Sequence, residues 1–294
     1  MQVETATIPG RVLSHMSSAL AFAPSRAPGP ATAAPSAPYD VLAPVYDLLT
    51  GDYTYGAWVR ELVALARARG LEGDRTLDAA CGDGNATLPL LSLGHAVSGC
   101  DVAAAMVAAA RRRTQGRARI VQADLLTMPL LGRFDLVTCL GDVPNHLGSL
   151  AVVRTALTGL RRNLRRGGML LFDVNLLAAY RDVPDVTVRD DDRIVTWWGS
   201  RAQIRDAGGA GEVVIDVFQR GEDNLWHRST CRQPHRHHPL PGVLDAVTAA
   251  GLEVLDVRGH VPGVGLQAHA DESLHPKAVV LARRPASFPT TRRH

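Results

Sequence analysis

Four acidic residues and two glycines stand where this chain could hold a nucleoside. The run from Leu77 to Leu91 (LDAACGDGNATLPLL) reads as a strand end, a tight turn and a helix start. Gly82 and Gly84 let the backbone turn and approach a ligand with no Cβ in the way. The helix behind them directs its free N–H groups into the same crevice. A dinucleotide fold asks here for G-x-G-x-x-G around a pyrophosphate. This turn instead sets Asp78 and Asp83 beside the phosphate positions, where like charges repel. Those carboxylates suit a nucleoside that carries an ammonium group. Asp101, ending a second strand, can accept from both ribose hydroxyls. Asp124, after a third strand, can take an adenine amino group, with Leu125 packed on the ring.

These residues need elements to hold them. Apolar residues at helical spacing (Val59, Leu62, Val63, Ala66) mark a helix over 57–69. Strands follow at 75–80, 95–100, 120–123, 134–140 and 169–174, separated by helices at 86–93, 103–113 and 150–164. The basic pair Arg165-Arg166 suits the last helix's C-terminal dipole, and Gly167-Gly168 its left-handed cap. Five strands alternating with helices predict a doubly wound, mostly parallel α/β sheet. After residue 185 the pattern changes: 193–198, 212–220 and 225–232 read as antiparallel strands, with turns at Gly208-Gly209 and 221–224. A helix over 240–250 and strands at 252–257 and 277–283 return to the main sheet. The expected organisation is a tail over 1–37, a cofactor domain with an N-terminal lid over 38–184, a β insertion over 185–239, completion of the sheet over 240–284 and a tail over 285–294.

The segments L-D-x-A-C-G-x-G, G-C-D, A-D-L, F-D-L-V-T-C-L and L-R-R-G-G-M-L resemble, in order and spacing, the class I methyltransferases that use S-adenosylmethionine (SAM). The resemblance covers roughly residues 39–180. It implies a Rossmann-like fold and SAM as cofactor, with S-adenosylhomocysteine as product. The cofactor loop would be Ala80, Gly82 and Gly84, with Asp78 near the methionine end, Asp101 and Val102 at the ribose, and Asp124 and Leu125 at adenine. Cys139 and Leu140 would floor the site near the sulfonium. Ala80 departs from the glycine usual in the family.

Methyl transfer is an in-line displacement on an activated carbon, so holding the partners in line dominates and a base is required only if a proton leaves early. Three segments are candidates for the acceptor side. The first, 39–58, resembles a lid segment: Tyr39 and Tyr46 are seven residues apart and share a helical face, with Tyr53 and Tyr55 following. Tyr46 is a candidate for both cofactor and catalytic contact. The second, 141–148 (GDVPNHLG), places Asn145 and His146 after the fourth strand, and His146 is a candidate base. The third, 227–240, carries His235, His237 and His238, of which His237 is a candidate base and His238 an acceptor contact. These three histidines have no carboxylate at regular spacing, so no metal is expected. Trp197, Trp198, Phe218 and Trp226 lie on the insertion; Trp198 is a candidate wall for a flat acceptor, and the alternative for all four is the insertion's own core.

Composition narrows the function classes. With 46% hydrophobic residues in 294, the chain can bury a sizeable core. The net charge of +3 comes with no run of five like charges, which gives a nucleic-acid arm no support; Arg111-Arg112-Arg113 reads as a solvated helix end. Cys81, Cys100, Cys139 and Cys231 form no CxxC and suit a reducing cytoplasm. No apolar stretch reaches membrane-spanning length, and the segment 13–24 makes a poor signal peptide. The expected partner is a small molecule, in a monomer or homodimer, with secondary metabolism as the setting. The acceptor is an amine or an aromatic, indole-like metabolite methylated on N, O or C. The rivals are a non-catalytic SAM-binding protein and an NAD(P)-dependent oxidoreductase. Ala86, where a third glycine would stand, and the single lysine, Lys277, argue against the second.

Overall fold

Strands buried on both faces of a sheet read as continuous apolar runs, and FDLVTC is wholly buried. The computed structural model describes residues 38–50, 55–181, 183–199 and 204–286. In it β1 (Arg75–Ala79), β2 (Ala96–Asp101), β3 (Arg119–Gln122), β4 (Phe134–Cys139) and β5 (Leu164–Asn175) pair in parallel, in the order β5-β4-β1-β2-β3. Beyond β5 the sheet continues antiparallel through β12 (Lys277–Arg283), β10 (Glu253–Val261) and β11 (Gly265–Gln267). The fold is therefore the doubly wound sheet with a separate β cap that the sequence implies.

One face of the sheet buries apolar side chains of α6 (Leu150–Asn163) and α7 (Leu240–Ala249). The other takes α3 (Tyr55–Ala68), whose Trp58, Val59, Leu62, Val63 and Ala66 form one buried stripe, and Leu90 of α4 (Thr87–Ser92). On α5 (Ala104–Thr114), Val107 and Ala110 pack with Cys81 and Ile120. Ser149 caps α6 by accepting from the Val152 N–H at 3.3 Å.

The cap is a four-stranded antiparallel sheet of β6 (Val186–Arg189), β7 (Arg193–Trp198), β8 (Ala210–Arg220) and β9 (Trp226–Arg236). The lid joins it to the main domain. Its α1 (Pro38–Leu42) and α2 (Tyr46–Thr50) flank a 3-10 turn, and Leu42 and Val45 pack with Ala103 and Met106 on one side and Val195, Ile215 and Val217 of the cap on the other. Asp40 accepts from the Ala105 N–H at 2.9 Å, capping α5 from outside the helix.

Three details differ from the expected elements. Arg165 to Gly168 belong to β5 and not to a helix cap: α6 stops at Asn163, Leu164 is already extended, and the Arg165 guanidinium pairs with Asp135. The lid tyrosines sit on two short helices, not one. The His-rich stretch does not follow the cap but is largely β9 itself, which ends at Arg236, so His235 lies on the strand while His237 and His238 lie beyond its end. The expected tails, apart from Pro285 and Ala286, and Tyr53 lie outside the described residues.

Candidate active site

A cavity of about 220 Å³ opens beyond the C-terminal ends of β1, β2 and β4, the crevice where such sheets take ligands. Its floor is the turn after β1. Ala80 has φ 53°, Gly82 55° and Gly84 89°, so three residues of the loop lie in the left-handed region and one of them carries a Cβ. The turn is held from the neighbouring strand: Asp101 Oδ2 accepts from the Gly82 N–H and its Oδ1 from the Ala103 N–H, both at 2.9 Å. Burial raises the Asp101 pKa, and these two donors pull it back.

Asp78 is buried, accepting from Thr87 Oγ1 at 2.6 Å and Thr138 Oγ1 at 2.8 Å. Burial raises its pKa to about 6, against the pull of both hydroxyls. Asp83 is neutralised differently, by an ion pair with Arg113 at 2.5 Å. Two of the three basic residues of that cluster are thus committed locally, since Arg111 donates to the Ile120 carbonyl.

Of the residues expected at the cofactor, Tyr46, Asp78, Ala80, Gly82, Asp101, Val102, Asp124, Leu125 and Leu140 line this cavity. Gly84 and Cys139 do not. Gly84 backs onto Ala110 of α5, where an added Cβ would lie 3.5 Å away. Cys139 is buried in the apolar core beneath β4.

A second cavity, of about 290 Å³, lies beneath the cap. The two share Tyr39, Tyr46, Tyr55, Leu140, Gly141 and His146. At this junction Tyr39 and His146 are joined by a hydrogen bond of 3.1 Å between the hydroxyl and Nε2. Burial lowers the His146 pKa, partly opposed by Asp142, and raises that of Tyr39 well above its ordinary value. Both pairing atoms are therefore neutral at pH 7.

The second cavity holds groups that sequence reading did not assign. Asp173 is fully buried; its Oδ1 accepts from the N–H groups of Gly141 (2.8 Å) and Asp142 (3.2 Å), and its Oδ2 pairs with Lys277. An acid inside the apolar run LLFDV is the available signal, because a buried carboxylate requires partners. His235 also faces this cavity, whereas His237 and His238 do not. His237 Nδ1 accepts from the Gly208 N–H and its Nε2 meets Glu272 at 2.8 Å; His238 Nε2 meets the Leu147 carbonyl at 2.8 Å. These corrections remove His237 as a base and His238 as an acceptor contact. Asn145 is wholly buried: it donates to the Asn175 and Arg236 carbonyls and accepts from the Asn175 N–H, which leaves no function for its amide in the cavity. Trp198 donates its Nε1–H to Asp216, and it is Trp197 that lines the cavity.

Comparison with known proteins agrees with this geometry. Residues 76–168 match a family described as a methyltransferase domain. The chain is 31% identical over 250 residues to a dTDP-3-amino-3,6-dideoxy-alpha-D-glucopyranose N,N-dimethyltransferase of Streptomyces fradiae, covering 80% of this chain and 93% of that enzyme. Its fold is similar to a SAM-dependent methyltransferase of Clostridium acetobutylicum (TM-score 0.69, 22% identity, 84% of this chain and 99% of that one). It is also similar to a sugar N-methyltransferase of Streptoalloteichus sp. (TM-score 0.65, 22% identity, 91% and 100%). On the match that spans nearly the whole dimethyltransferase, the chain belongs to the class I SAM-dependent methyltransferases.

Proposed function

We propose that this methyltransferase acts on the amino group of a small, hydroxylated acceptor of amino-sugar type, which enters beneath the cap. The observation that carries this reading is the Tyr39–His146 pair at the junction of the two cavities. SAM occupies the first cavity, with its ammonium toward Asp78, its ribose toward Asp101 and its adenine toward Asp124 and Leu125. The acceptor nitrogen comes from the second cavity past Tyr39, Tyr46 and Tyr55. The amine displaces the Tyr39 hydroxyl from His146 Nε2, which then takes the amine's proton. The nitrogen lone pair then forms the new bond to the methyl carbon as the carbon–sulfur bond breaks, and S-adenosylhomocysteine leaves.

Two further observations favour a polar acceptor over a flat aromatic one. The second cavity carries Asp142, the Asp173–Lys277 pair and Gln233. Of the cap's described tryptophans and phenylalanine only Trp197 lines it; Arg228 stacks over Phe218 and Arg220 over Trp226. No helix among the described residues is long and apolar enough to cross a membrane, and the four cysteines are buried; secondary metabolism is the setting this reading assigns. The cap, residues 185–239, is the part that selects the acceptor.

The test is a panel of acceptors incubated with SAM, read by S-adenosylhomocysteine release and by product mass. A nucleotide-linked 3-amino sugar is expected to gain one and then two methyl groups, while matched indoles and phenols remain unmodified. Turnover confined to the aromatic compounds would overturn the reading.

A further inference from the structure

Both ring nitrogens of His235 are buried with no hydrogen-bond partner among the described residues. Leaving such a group unsatisfied is costly, so the ring is built to meet something. Its surroundings are other donors of electron pairs. The His146 ring stands edge-on to it, with centroids 4.2 Å apart. Asp142 enters from the start of the 3-10 turn Val143–His146, its Oδ2 4.0 Å from His146 Nε2 and receiving a hydrogen bond of 2.9 Å from Asn175 Nδ2. One donor atom from each of Asp142, His146 and His235 lies within 4.8 Å of the other two.

We propose that Asp142, His146 and His235 form a binding site for a divalent transition-metal ion, zinc being the best chemical match. Two imidazoles and one carboxylate are borderline ligands that suit zinc, cobalt and nickel and leave coordination positions open. Asn175 supplies the outer hydrogen bond that fixes the carboxylate. Bonds of roughly 2.0–2.2 Å require the three donor atoms to draw together. Two of them sit at opposite ends of a single turn, and the third has no competing partner. The ion takes the Nε2 lone pair that Tyr39 now occupies, and it sits at the junction of the two cavities. The three ligands are spread over two segments about ninety residues apart, and the His-rich stretch contributes one of its four histidines, so no local pattern marks the site.

The site stands apart from the choice of acceptor. Its test is titration of the chelator-stripped full chain with Co²⁺, followed by visible d–d absorption, with Zn²⁺ as competitor. The expected result is one ion per chain, displaced by zinc, with affinity weakened at least tenfold in His235→Gln and in Asp142→Asn. His227→Gln, on an exposed histidine, serves as the control and leaves binding unchanged. SAM titration of each variant establishes that it is folded. No cobalt spectrum, or one equally strong in His235→Gln and Asp142→Asn, overturns the proposal. If His146 is also the base, zinc inhibits methyl transfer reversibly. An intact cobalt spectrum without inhibition counts against the acceptor mechanism and leaves the metal site standing.

Discussion

At the scale of single residues, the cofactor cavity is governed by how each carboxylate is neutralised. Asp78 relies on two hydroxyls alone, and its pKa of about 6 makes it sensitive to pH. The acid is raised in the fold above its ordinary value, so the folded chain holds the proton more tightly than the unfolded one. Its contribution to stability is therefore present at low pH and is lost as pH rises through about 6. Urea denaturation of the cofactor-free protein should show wild type losing about 1.4 kcal/mol between pH 5 and pH 7.5 relative to Asp78→Asn. On the proposed cofactor pose SAM binding runs the other way, because its ammonium would pair with the ionised form of Asp78. Affinity should rise about tenfold from pH 5 to pH 7, with proton release on binding at the acid end read by calorimetry in two buffers. Ala80 presents a separate case: an L-residue at φ 53° costs about 1–2 kcal/mol, part of which glycine would return to its flexible unfolded chain. Ala80→Gly is expected to stabilise the protein by about 0.5–1 kcal/mol in thermal denaturation, with SAM binding retained. His146→Gln should lower kcat about 10²-fold with little change in SAM affinity, measured by methyl transfer alongside calorimetry.

At the scale of elements, the sequence disclosed the parallel sheet because its strands and amphipathic helices each follow one period. Most residues that line the candidate cofactor cavity could be named from the sequence because they lie at strand ends, a place fixed by local pattern. The acceptor side was less legible. Asp173 and Lys277 are 104 residues apart in the chain and meet only because β12 enters the sheet beside β5. The histidines of β9 could not be sorted until its register against β8 was known: His235 stands opposite Gly211, and the chain then turns away. Asn145 was read as a contact because it is polar and in the right loop; its burial shows that it ties that loop to β5 and β9. Removing this amide leaves several buried groups unpaired, so Asn145→Ala should cost about 2–4 kcal/mol in denaturant unfolding. The same substitution should weaken acceptor affinity through the displaced loop, while SAM binding changes little.

At the scale of the whole molecule, the lid couples the two halves of the site. It contributes Tyr39 and Tyr46 to both cavities while its apolar side packs on α5 and on the cap. Asp47 adds an ion pair to Arg193 of β7 at 2.8 Å. Cofactor binding to the folded form alone should raise stability by about 2.7 kcal/mol at a hundredfold excess over Kd, read as an upward shift of Tm. Because the lid is shared, that protection should extend into the cap, where hydrogen exchange of β7 and β8 slows with SAM bound. Exchange slowed only around β1 and β2 would mean that the two halves respond separately.

The position of β12 also bears on how the chain is made. This strand lies between β5 and β10, yet both neighbours leave the ribosome before it. Until it emerges, β5 and β10 cannot take their places beside a common partner, and the Asp173 carboxylate in the interior has no cation to meet. Synthesis stalled just short of Lys277 should therefore yield a nascent chain in which the early parallel strands associate while the far side of the sheet stays open to chaperones and proteases.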